Sequence, residues 1–254
     1  MRLDSILGAG EWSALKDFLT PTVFDVLPPR AAQRQVAELL GARLHPGEGR
    51  RVRDAVGLPG LRIADDRAPA SERVEGLDVE ARRRRGDEVL TLYFHQLLHR
   101  ESALLDLRAE RFRGDPSGEL SWRPGWLYVR WDPTFLAALR DLYGGYYTGD
   151  DPRFDSAIAR LSLTPAKDVF LAHFGGGDQR EVQFRRATFV QTFHDAFLAC
   201  RDAGVSLHGN FLALGLYLAT LYEHLERLDL PFDVRAAYVR AASPVASPVA
   251  TEPR

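Results

Sequence analysis

Residues 86–112 read GDEVLTLYFHQLLHRESALLDLRAERF, and the spacing of their apolar side chains decides the fold class. Leu90, Phe94, Leu97, Leu98, Leu104, Leu105 and Phe112 fall at steps of three and four, and no glycine or proline interrupts them. A stripe of that period predicts one amphipathic helix from 86 to about 112. Two more long helices are predicted further on. Residues 180–203 place Val182, Phe189, Phe193, Ala196, Phe197 and Cys200 along one stripe, whereas 207–228 is apolar on nearly every side. Residues 204–222 contain no Asp, Glu, Lys or Arg. Their continuously apolar part, 211–222, is shorter than the roughly 20 residues a membrane span needs. A helix that is apolar all round is then expected at the centre of a bundle.

Shorter elements surround these three. Residues 120–131 (LSWRPGWLYVRW) predict a hairpin, with Pro124-Gly125 at the turn between aromatic and β-branched runs and Trp122, Trp126 and Trp131 packing it down. Helical period returns over 134–143, weakens at Gly144-Gly145 and resumes over 154–161; Thr164-Pro165 caps and opens a helix ending at the glycine triplet 175–177. Toward the N-terminus, helices are expected at 11–19, at 29–44 with Val36, Leu39 and Leu40 on one face, and at 49–56. The expected architecture is mainly α, a helical bundle with one small β-hairpin at about 120–131. It divides into a short-helix region (1–70), a bundle core (71–240) and a disordered Ser/Pro/Ala tail (241–254). The stretch DDRAPAS at 65–71 serves as the linker.

The chain has 254 residues, 45% hydrophobic and 27% charged, with a formal net charge of −2, a balance that excludes collagen-like, fully disordered and polybasic classes. A single cysteine, Cys200, excludes an intramolecular disulfide, and with no signal-peptide pattern in the first ten residues the expected location is the cytoplasm. Near-neutral charge gives little pull toward nucleic acid. The four arginines at 82–85 are flanked by Asp78, Glu80, Asp87 and Glu88, so they are expected to be a solvated helix face rather than a phosphate patch. Neither nucleic acid nor membrane is expected as a partner.

His95 and His99 stand four apart, the helical spacing at which two imidazoles project together. Glu88 lies seven before His95 and Asp106 seven after His99, and a helical wheel gathers all four on one face. That face suggests a non-haem metal site; a solvated or intersubunit face explains it equally. His194, at the edge of its apolar stripe, suits either a haem ligand or a boundary histidine. His208 and His224 are expected to be core hydrogen-bonding residues. Cys200 sits on an apolar stripe and no Gly-x-Ser-x-Gly elbow is present, so nucleophilic catalysis is not supported.

Asp87, Glu88 and Leu90, followed by His95-Gln96, resemble the D-E-x-L-x4-H-Q segment of the tryptophan 2,3-dioxygenases, helical haem enzymes that insert both atoms of O2 into an indole ring. Gln179, Gln183, Phe184 and Arg185 resemble that family's G-x-Q...Q-[YF]-R segment. The resemblance implies that His95 lies beside a small aromatic substrate, that Arg185 forks onto its carboxylate and that His194 ligates haem iron. Three functions therefore stand open. They are a haem-dependent oxygenase acting on an aromatic amino acid or related compound, a non-haem metal enzyme using His95, His99, Glu88 and Asp106, and a non-catalytic helical interaction module. A homo-oligomer is compatible with all three.

Overall fold

The computed structural model describes residues 21–64, 74–114, 119–125, 127–174 and 181–243. The predicted helix at 11–19, the linker at 65–71, the glycine triplet, Trp126, Gln179 and the tail from 244 onward lie outside the described residues. The described chain is mainly α with a few short strands. Its helices are α1 (Pro21–Val26), α2 (Pro29–Leu44), α3 (Pro46–Asp54), α4 (Val79–His99), α5 (Pro133–Thr148), α6 (Asp151–Arg160), α7 (Lys167–Phe174), α8 (Arg186–Asp202), α9 (Asn210–Leu228) and α10 (Val234–Ala242).

Helix α9 is the predicted central element. Every residue from 210 to 222 is buried, and α9 packs on α2, α4 and α8 at once. An all-round apolar sequence leaves a helix no face to give to water, so neighbours must cover each side. No helix among the described residues is long and apolar enough to cross a membrane.

Helix α4 starts where its sequence says it should: the Asp78 carboxylate accepts the Ala81 amide at 2.7 Å. It stops thirteen residues short of the predicted end. Arg100 is extended, and residues 102–104 form β2 (Ser102–Leu104), antiparallel to β5 (Tyr128–Arg130). Residues 103–109 are all buried, so the leucines there satisfy burial as a strand and loop as well as they would in a helix. The buried amide of Gln96 decides between the two. Its Oε1 accepts the Leu104 amide at 2.9 Å and its Nε2 donates to Tyr217 Oη at 2.7 Å, drawing the chain back across the end of α4. Thr220 of α9 adds a second tie, donating to the Leu105 carbonyl at 2.7 Å.

The predicted hairpin at 120–131 is also corrected. Strand β4 (Leu120–Trp122) pairs antiparallel with β3 (Phe112–Gly114) and parallel with β1 (Leu61–Ile63), in the order β1-β4-β3, while β5 pairs with β2. Pro124-Gly125 therefore carries the chain from one small sheet to another instead of reversing it. Trp122 is buried in the first sheet, where its indole stacks on Phe112 and donates to the Asp106 carbonyl at 3.1 Å. A third pair, β6 (Val182–Gln183) with β7 (Pro231–Phe232), occupies the start of the segment predicted as helix from 180, so α8 begins at Arg186.

Gly144 and Gly145 do not weaken α5; both are buried inside it. They let α6 approach so closely that a Cβ on Gly145 would lie 2.5 Å from the Phe154 backbone nitrogen.

Candidate functional site

Of the residues singled out in the sequence, His95 and His99 do meet, with ring centroids 4.9 Å apart. Each is already committed. His95 Nε2–H donates to the Val56 carbonyl at 2.8 Å and His99 Nε2–H to the Ala241 carbonyl at 2.7 Å, so the pair ties α4 to the segment after α3 and to the end of α10. His95 is only 3% exposed, and burial lowers its pKa although the Val56 hydrogen bond opposes that. It therefore stays neutral at physiological pH.

Asp106 leaves this face altogether, because α4 has ended before it. Its carboxylate takes the Arg108 fork (both distances 2.8 Å) and Arg111 Nε at 2.7 Å. Burial alone would raise its pKa, but the two arginines outweigh burial and hold it below the usual range. Glu88 remains on α4, where burial pushes it up to about 7 against the pull of Arg84 and Arg85. Among the described residues no three His, Cys, Asp or Glu side chains gather as a metal site would require.

The residues of the haem assignment lie on two elements, His95 on α4 and His194 on α8 with Arg185 immediately before it. Arg185 pairs with Asp229 at 2.9 Å, immediately after α9. The adjacent Leu228 carbonyl accepts from Arg82 near the start of α4. His95 lies thirteen residues further along that helix, about 20 Å at 1.5 Å per residue. His194 is on α8, which packs on α1, α7 and α9.

The arginine run is not uniformly solvated either. Arg84 is exposed, but Arg85 is 3% exposed and faces His224, a wholly buried imidazole whose Nδ1–H donates to the Leu107 carbonyl at 2.8 Å. Burial, with Arg85 adding to it, pushes His224 down to about 3, so this is the neutral core histidine the sequence suggested. Its neighbour Glu223 is pushed by burial up to about 7, with Glu110 contributing, and its Oε2 has no hydrogen-bond partner. A carboxyl raised from 4.5 to about 7 on folding stabilises the folded state fully below pH 4.5 and loses that contribution as pH rises through 7. Glu223→Gln is therefore expected to match the wild type at pH 4 and to exceed it by about 2 kcal/mol at pH 8. Urea denaturation at the two pH values checks this, and an equal difference at both would mean that ionisation is not responsible.

A polar cleft of about 630 Å³ is bounded by α2, the α2–α3 junction, β5 with the two residues after it, and the start of α9. Its floor is tied by Asn210, whose Nδ2 donates to Gln35 Oε1 at 2.6 Å and whose Oδ1 accepts the Asp132 amide at 2.8 Å. Asp132 in turn caps α5, its Oδ1 accepting from the Thr134 hydroxyl and from the Phe135 and Thr134 amides, and these bonds, the hydroxyl's first, hold its pKa below the usual range. On the rim, Glu48 accepts the Tyr128 hydroxyl at 2.8 Å and pairs with Arg130.

Once these bonds are assigned, several donors are left over. Trp131 is 3% exposed, packed face to face on Phe135, and its indole N–H has no acceptor. His208 stacks on the same residue, Phe135, and its Nδ1 accepts the Asn210 amide at 3.1 Å, which places the proton on Nε2 as a donor. Arg34 is exposed on α2 with no partner among the described residues. Little in the sequence announces this site. Its residues come from 31–48, 128–132 and 208–210, and no local spacing joins them. His208 is exposed at the cleft, not in the core as the sequence suggested.

No protein-family model matches the chain, and no curated protein matches it significantly.

Proposed function

We propose that the chain is a small-molecule-binding protein whose binding site is the polar cleft between α2, β5 and the start of α9. One observation carries the proposal: a polar cleft of about 630 Å³ lined by Trp131, whose solvent-inaccessible indole N–H has no acceptor among the described residues. Leaving such a donor unpaired costs about 1–3 kcal/mol, a cost that a ligand acceptor removes. The volume falls within the roughly 300–1,000 Å³ of small-molecule sites, and the site has their usual composition of an aromatic wall with a few placed polar groups. It asks nothing of His95, Arg185 or His194.

Thermal-shift measurements with a panel of hydroxy acids, sugars, sugar phosphates and amines test the proposal, with tryptophan fluorescence as the second signal. At least one class is expected to raise the melting temperature, and Trp131→Phe, which keeps the ring packing and removes only the donor, should bind that class about tenfold more weakly. If every compound that binds does so equally well to the variant, the site lies elsewhere.

A further inference from the structure

A separate cavity of about 40 Å³ lies where α4, α5, α9 and the start of α10 meet, with β6 at its edge. Five of the chain's eight tyrosines line it, together with leucines of α4 and α9, so its wall is built largely of rings and hydrocarbon. The phenols contribute ring faces more than hydroxyls. Tyr93 and Tyr143 spend their Oη atoms on each other at 2.7 Å, and Tyr147 stacks on Tyr143. An apolar cavity of this kind takes an apolar guest in preference to water, and its volume admits a tail of roughly three heavy atoms.

One charged residue lines the cavity. Arg235 is exposed at the start of α10 and has no hydrogen-bond or ion-pair partner among the described residues. The acids beside these elements are already engaged: Asp233 caps α10, accepting the Ala236 amide at 2.8 Å, and Glu181 pairs with Arg83 at 3.6 Å. An aromatic wall by itself would also welcome a cation over its ring faces. A guanidinium on the same lining repels that cation and attracts an anion, a carboxylate best of all because it matches the guanidinium fork.

We propose that this cavity binds a short-chain alkyl carboxylate, its tail among Tyr93, Tyr147, Leu218 and Tyr222 and its carboxylate on Arg235. The site is independent of the polar cleft, and its fate leaves the reading of that cleft untouched.

Butanoate, 1-butanol and butylamine carry similar tails on an anionic, a neutral and a cationic head, and NMR titration of the full chain with each of them isolates the charge. Butanoate should bind at least tenfold more tightly than butylamine, with 1-butanol between, and should shift the amides of Leu218 and Val234. Arg235→Gln, on an exposed side chain, should bring butanoate down to the level of 1-butanol. Val182→Phe, at the half-buried edge, should weaken both about tenfold at an unchanged melting temperature. Benzoate keeps the charge but has a ring too wide for about 40 Å³, and should bind at least tenfold more weakly than butanoate. Butylamine binding as tightly as butanoate, or butanoate indifferent to Arg235→Gln, overturns the carboxylate. Benzoate binding as tightly as butanoate overturns the short chain. If none of the four compounds shifts the Leu218 and Val234 amides of the wild type, or if Val182→Phe folds and binds unchanged, the cavity is not a site.

Discussion

Gly145→Ala is expected to destabilise the protein by about 3–4 kcal/mol, although alanine is the better helix former. Gly145 lies inside α5 where α6 crosses it, and a Cβ there would sit 2.5 Å from the nitrogen and 2.8 Å from the Cα of Phe154, and 2.9 Å from the Asp150 carbonyl oxygen. All three are backbone atoms. They are also fixed in place, since the Asp150 amide donates to the Gly145 carbonyl and the Phe154 amide to the Asp150 carbonyl, both at 2.9 Å. Relief of the clash thus requires α5 and α6 to separate, which loosens the packing of Phe154 and Ile158. Gly144 supplies the contrast. Its Cβ would meet the Arg153 guanidinium at 2.6 Å, the end of a flexible side chain that can swing away at the cost only of its exposed pairing with Asp141. Gly144→Ala is therefore expected to be nearly neutral, the gain in helix propensity of up to about 1 kcal/mol offsetting the lost contact. Chemical denaturation of the two variants decides the matter, and equal destabilisation would show that close backbone approach is not what glycine provides at 145.

Gln96→Leu has the second large effect, about 3 kcal/mol. Gln96 is wholly buried, and its amide serves Leu104 N–H, Tyr217 Oη and, at 3.4 Å, the Leu104 carbonyl. Leucine fills the space but strands the Leu104 amide and removes the bond to the tyrosine, each at the desolvation cost of a buried polar group. The damage should be local. Amide exchange in β2 and β5 is expected to accelerate more than in α9, because the amide holds the chain reversal after α4 and not the central helix. Tyr217→Phe tests the same link from the other side. Alone it should cost about 1 kcal/mol, and in the Gln96→Leu background almost nothing, because the bond is then already gone. Full additivity in that cycle would mean that the hydrogen bond contributes nothing.

Gln96 also shows where local periodicity stops being informative. From 84 to 98 the positions that stay at least partly exposed, 84, 87, 88, 91 and 98, recur at helical spacings, and α4 follows them. From 103 to 109 every position is buried, Asp106 and Arg108 included, and a uniformly buried run has no period from which to tell helix from strand. The helical wheel through Glu88, His95, His99 and Asp106 failed for that reason. The aromatic segment at 120–131 was correctly seen as strand-forming, but strand partners are chosen across the fold, and β1 and β3 claimed β4 before β5 could.

By itself the sequence determined the mainly α class, the helix at 29–44 to the residue, and the central place of α9, because these depend on apolar patterning and local caps that any neighbourhood must respect. The cleft was decided only in three dimensions. Trp131, His208 and Arg34 become one site when α9 is pinned through Asn210 to both α2 and the end of β5. Hydrogen bonds between residues up to 175 apart in the chain leave no trace in local spacing.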